Sequence, residues 1–127
     1  MEELPLSKVD QLIEPGPIVL LTTHGKHGAN VLRMWCPMMV DFTPPQIACV
    51  VSSGDFSFAT LRATKECAIA IPGVELTPKV VQIGNCSGRD VQKFAAYGLT
   101  TAPASTIEAP LISECFANLE CRVIDTR

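Results

Sequence analysis

Short branched apolar runs alternate with polar, proline- or glycine-bearing breaks along most of this 127-residue chain. Ile18–Thr23 is an almost unbroken run and predicts a buried strand. Gly25–Gly28 carries a turn signal and Ala29–Met34 reads as the return strand, so the pair predicts a hairpin. Val40–Phe42 and Ile47–Val51 predict two more strands around the turn forced at Thr43–Gln46. Pro37 cannot donate to a ladder, so no regular central strand should pass straight through Arg33–Met39. Cys67–Ile71 is a short apolar strand ended by Pro72 and Gly73. Glu114–Ile124 alternates loosely, with Cys115, Ala117, Leu119, Cys121 and Val123 at the apolar or small positions, as in a half-buried antiparallel strand.

Helical spacing interrupts these strands. Leu4–Ile13 predicts a short helix with Ser7 placed to cap it, stopped by Pro15–Pro17. Phe58–Lys65 predicts a second, with Ser57 as its cap, and Leu76–Ile83 a third, with Thr77 near its start. Ile83–Leu99 reads as a polar, glycine-bearing loop feeding a short amphipathic helix. Its apolar side is Val91, Phe94, Ala95 and Tyr97, and Gly98 stops it. Thr100–Ser105 is a connection and Ala109–Ser113 an extended piece. Many short strands with a few helices favour a mainly β fold, a small barrel with helical excursions, over a doubly wound parallel sheet. No GxGxxG fingerprint or GxxxxGK[ST] loop is present.

Composition narrows the function classes. Hydrophobic residues make up 47% and charged residues 18%, which excludes a disordered or nucleic-acid-coating chain. A net charge of -3 gives no bulk attraction to phosphate backbones or anionic lipid, so neither nucleic acid nor membrane is an expected partner. The length suits one domain, residues 1–127. No apolar run is long enough to cross a bilayer, and the N-terminus lacks a basic segment followed by an apolar one, so the expected location is the cytoplasm. The six cysteines then read as reduced thiols, and with two histidines and no CxxC pair a structural zinc site is not expected.

Hydrolytic chemistry has no constellation to rest on. Neither His24 nor His27 is brought to a cysteine by any pattern, and Asp41, Asp55, Glu75, Asp90 and Glu114 form no spaced pair. A bound-cofactor pocket can be assembled instead, from Arg33–Pro37, Ser52–Ser57 and the Ile83–Leu99 loop. Backbone amides, hydroxyls, Arg89 and Lys93 suit a phosphate. Trp35, the only tryptophan, reads equally as a core aromatic and as the wall of a pocket for a flat ligand. A cofactor would carry the chemistry, the protein supplying placement and electronic tuning.

Val19–Thr23, Asn30–Pro45, Ser57–Pro72, Gly84–Leu99 and Pro110–Val123 together resemble the flavin reductase-like, flavoredoxin-type family of FMN-binding split-barrel proteins. The segment Ser87-Gly88-Arg89-Asp90 with Lys93-Phe94 is the most specific part of the match. The resemblance implies a split β-barrel, incomplete in this chain or completed by a dimer partner, with FMN held non-covalently. It implies NADH or NADPH as a transient electron donor and a small-molecule or protein electron acceptor. Asn30, Arg33, Met34, Trp35, Cys36 and Pro37 should run beside the flavin ring, Ser52, Ser53 and Ser57 near ribityl or phosphate oxygens, and Ser87, Gly88, Arg89 and Lys93 on a second loop facing it.

Two departures from the family pattern stand out. Arg33 replaces the usual small hydroxyl residue, and Trp35 and Cys36 alter the expected serine and tryptophan order. Family members also continue beyond the strand that ends near Val123, which leaves an edge for dimerisation or strand exchange to cover. The implied function is an FMN-binding flavoprotein, an NAD(P)H-dependent flavin reductase or a flavoredoxin-like electron carrier. The alternative is a non-enzymatic shortened relative that binds flavin weakly or serves mainly as a dimeric binding protein.

Overall fold

Four short helices and eight strands make up the computed structural model, which describes residues 1–127. In chain order the first half holds α1 (Asp10–Ile13), β1 (Val19–Gly25), β2 (Gly28–Met34), β3 (Met38–Phe42), β4 (Pro45–Ala48) and α2 (Phe56–Thr64). The second half holds β5 (Glu66–Ile71), α3 (Thr77–Gly84), α4 (Lys93–Ala96), β6 (Thr101–Ala102), β7 (Leu111–Ile112) and β8 (Ala117–Arg122). A four-stranded antiparallel sheet, ordered β2-β1-β5-β8, forms the centre, and β3-β4 and β6-β7 are separate two-stranded ribbons. No barrel closes within this chain; the sheet is open at β2 and at β8.

β1 lies between two neighbours and is covered on both faces, which is why Val19–Thr23 are all buried and read as a continuous run. Val19 and Leu21 join Ile13, Met34, Cys67, Ile69 and Ile71 in one apolar cluster, and β3 and β4 pack against it through Met39 and Ile47. Leu20 points the other way, into a cluster with Val31, Ala70, Leu76, Val80, Ile83 and Phe94. Leu76, Val80 and Ile83 recur at helical spacing, so they place the inner stripe of α3 on the sheet while Val81 faces solvent. Burying each large side chain of this kind stabilises the fold by about 1.5–3 kcal/mol.

The expected hairpin is β1–β2, with Gly25 opposite Gly28. Three helix boundaries differ from the sequence reading. The first helix divides into a 3-10 turn, Leu6–Lys8, and α1, so Ser7 lies inside the turn and caps nothing. The second begins at Phe56 behind an extended Asp55, which puts Ser57 within its first turn. Its hydroxyl is turned inward to buried partners, so Ser57 is not the cap. The last shrinks to α4, because the Asp90 and Val91 amides both turn back to the Ser87 carbonyl and Gln92 is extended.

Candidate functional site

Asn30 sits on β2 opposite Thr23 of β1. Its Nδ2 donates to Ser57 Oγ at 2.8 Å, and Thr23 Oγ1 reaches the same oxygen at 3.5 Å. Ser57 is 1% exposed, so this knot ties the first turn of α2 to the sheet below the surface. The loop before α2 has its own lock: the Ser52 amide donates to Asp55 Oδ2 at 2.9 Å, and the Gly54 amide to Ser52 Oγ at 3.2 Å. A tight polar turn follows α3, where the Arg89 amide donates to Ser87 Oγ at 3.2 Å.

Between these loops and β2 lies a cleft of two adjoining compartments, about 310 and 350 Å³, sharing Leu32, Asp55, Gly84, Cys86 and Lys93 as walls. The first is the more apolar of the two, with Met34, Trp35, Val50 and Ile83 around Arg33. The second is polar, with Asn30, Asn85, Ser87, Gly88 and Arg89 around Phe56. Each volume is at the lower end of the range for small-ligand pockets. An apolar compartment joined to a donor-rich one suits a ligand with a flat ring and a polar or anionic tail.

Lys93 forms the common floor. It is 3% exposed, and its Nζ donates to the carbonyl of Ile83 at 3.0 Å, covering one of the free carbonyls at the end of α3. Burial pushes its pKa down, and the nearby Cys86 and Asp55 oppose that shift. Tyr97 Oη donates to Cys86 Sγ at 3.1 Å, which fixes the thiol at the cleft wall. Arg33 lies in the first compartment with its guanidinium carbon 4.3 Å from the Trp35 ring centroid. Its Nε is buried and has no hydrogen-bond partner.

Two glycines are set by close approach. A Cβ on Gly84 would collide with the Arg33 guanidinium, and one on Gly88 would collide with Asn30 Oδ1 and stand 2.7 Å from Phe56. Arg89 reaches over Phe56 with its guanidinium carbon 6.0 Å from the ring centroid. Cations therefore outnumber carboxylates at the cleft: Arg33, Arg89 and Lys93 face Asp55 alone, whose oxygen already accepts the Ser52 amide.

Nine of the residues singled out from sequence line the cleft: Asn30, Arg33, Met34, Trp35, Ser52, Ser87, Gly88, Arg89 and Lys93. Four do not. Cys36 is exposed outside it, Pro37 is buried past the end of β2, and Ser53 points to solvent at the loop tip. Ser57 lies beneath the wall and acts through Asn30. The remaining walls, Leu32, Asp55, Gly84 and Cys86 among them, lay inside the segments singled out from sequence without being named one by one, whereas Val50 lay outside all of them and was missed. His24 and His27 are exposed, and His27 leans on Phe56 with ring centroids 6.1 Å apart. No group of three or more His, Cys, Asp or Glu side chains is arranged to hold a metal ion, and no helix is long and apolar enough to cross a membrane.

Residues 13–127 match the family model described as flavin reductase like domain. The uncharacterized protein YddH of Escherichia coli (strain K12) is 32% identical over 124 residues, covering 95% of this chain and 66% of its own length. An FMN-binding domain of a flavin reductases-like enzyme from Shewanella baltica OS155 superimposes with a TM-score of 0.91 at 22% identity, covering 97% of this chain and 65% of that one. Flavoredoxin of Desulfovibrio vulgaris (Miyazaki F) gives 0.81 at 24% identity, over 87% of this chain and 61% of that one. The chain spans from 48% to 66% of the length of the curated relatives it matches.

Proposed function

Because this chain belongs to the flavin reductase-like family and has that family's split-barrel fold, we propose that it binds FMN in the cleft and works as a flavin-dependent redox protein. The observation that carries this reading is the convergence of Asn30–Trp35, Ser52–Phe56 and Gly84–Lys93 on one cleft with an apolar and a donor-rich compartment. The residues present fit the cofactor in kind. The Arg33 Nε lacks an acceptor, and hydroxyl, amide and cationic donors gather at one end.

In this reading Ser87, the Gly88 amide and the Arg89 and Lys93 charges hold the phosphate, while Asn30 and Ser52 face the ribityl hydroxyls. Arg33, Met34 and Trp35 flank the ring, and Leu32 and Ile83 back it. FMN supplies the electron chemistry when bound, taking up two electrons from a donor and releasing them to an acceptor. The chain's own part is placement and charge.

A nicotinamide dinucleotide is the donor we assign, and a second copy of the chain the partner. The dimer is supported by five large apolar side chains that stay exposed, Trp35, Met38, Val40, Phe42 and Val50, two of which also line the cleft. FMN added to the purified protein should give a bound-flavin spectrum that NADH or NADPH bleaches without oxygen. A folded protein that leaves FMN free would remove this reading and favour a non-enzymatic binding protein. Light scattering should give twice the 13.7 kDa chain mass; a monomer at working concentration would contradict the dimer.

A further inference from the structure

Arg33 sits in the more apolar compartment of the cleft. Its guanidinium is fixed on one side by the Trp35 ring, 4.3 Å from the centroid, and on the other by the bare Cα of Gly84. The buried Nε–H meets no acceptor within the chain. A buried donor is rarely left unmet, so the open compartment is where its acceptor belongs. Asp55, the only carboxylate among the cleft walls, accepts the Ser52 amide through Oδ2 and makes no ion pair with Arg33. Arg33 is thus a positive group held in place at the wall of a ring-sized space.

We propose that Arg33 sets the redox poise of the flavin bound in this cleft, its guanidinium favouring the reduced flavin over the oxidised one. The inference rests on the FMN-binding reading above. Uptake of two electrons and one proton adds one negative charge to a flavin, and a fixed cation beside it stabilises the state that carries it. Arg33 therefore makes this chain's flavin easier to reduce than that of the same protein without the cation.

The test compares FMN-loaded wild type with Arg33→Gln, and with Arg33→Lys and Arg33→Met as a second charged–neutral pair should the first variant not fold. Spectroelectrochemical titration at pH 7 gives the midpoint potential, and fluorescence titration gives the affinity for oxidised FMN. The neutral variants should lose at least tenfold of the preference for reduced over oxidised FMN, a fall of about 30 mV in midpoint potential for a two-electron couple. Arg33→Lys should keep most of it. Equal potentials in wild type and a folded neutral variant would overturn the role of Arg33 while leaving FMN binding intact. Failure of wild type to bind FMN would instead remove the underlying reading, and this inference with it.

Discussion

The two outer edges of the central sheet treat their polar side chains in opposite ways. Along β8, polar groups are fully engaged in holding the fold. Asn118 Oδ1 accepts the Ile112 amide at 2.9 Å while its Nδ2 donates to the Ile112 carbonyl at 3.0 Å. Glu120 accepts the Ser105 and Thr106 amides, each at 2.7 Å, and the Thr106 hydroxyl at 2.6 Å. Along β2 the pattern reverses beyond the Asn30–Ser57 knot: Arg33 Nε has no partner, Lys93 meets one carbonyl with its three donors, and Arg89 reaches over an aromatic ring. Satisfied polarity pins a loop; unsatisfied polarity at a cleft wall is available to a ligand. The difference separates scaffold from site without reference to any relative.

The comparison is broken most easily at β8. Asn118→Ala should destabilise the protein by roughly 2–4 kcal/mol, since it strips a partly buried amide and carbonyl of their partners together. Chemical denaturation should show this with flavin affinity unchanged; a stable variant would mean that Asn118 is not structural. Gly88→Ala is the converse on the cleft side. Asn30 cannot yield while Ser57 holds it, so the added methyl should cost roughly 1–3 kcal/mol by overpacking and also weaken flavin binding. Unaltered binding by a folded Gly88→Ala would show that the turn does not touch the ligand.

Two smaller effects sharpen the contrast. Burial pushes the Glu120 carboxyl up, but the Ser105 and Thr106 donors outweigh it and hold its pKa below 4.5. A carboxylate with a lowered folded pKa contributes stability above its unfolded value and loses it as pH falls through the folded one. Glu120→Gln should therefore flatten the loss of stability on acidification below about pH 4.5; an unchanged acid limb would contradict the engaged role of this residue. The smallest effect is Arg33→Gln on stability. Because it removes an unmet buried donor, unfolding of the ligand-free protein should change by less than about 1 kcal/mol, or shift slightly upward. A large loss would make Arg33 a structural residue.

Much of the fold was legible because it follows local rules. The β1–β2 hairpin is written in a branched run, a glycine-flanked turn and a return run, and the inner face of α3 in Leu76, Val80 and Ile83. The site was legible only as three segments of interest. What joins them is register: Asn30 faces Thr23, and through it Ser57, only once β1 and β2 are paired and α2 is laid across them. Local rules also misled at Ser57, where the pull of a buried amide on the hydroxyl overrides its use as a cap. The helix read over Val91–Tyr97 is shortened for a related reason, as the Ser87 carbonyl draws the Asp90 and Val91 amides into a turn. The pairing of Cys67 with Cys121 across β5 and β8 was equally hidden, since it depends on strands far apart in sequence.

FMN affinity, measured by fluorescence titration on one protein altered at each edge, tests the central claim most directly. The pair is Ser87→Ala/Lys93→Met on the cleft side and Asn118→Ala on the other, each checked for folding at the assay temperature. The account predicts that the cleft variant loses FMN binding by tenfold or more while the β8 variant, though less stable, binds as wild type does. Equal affinities in all three folded proteins would contradict it.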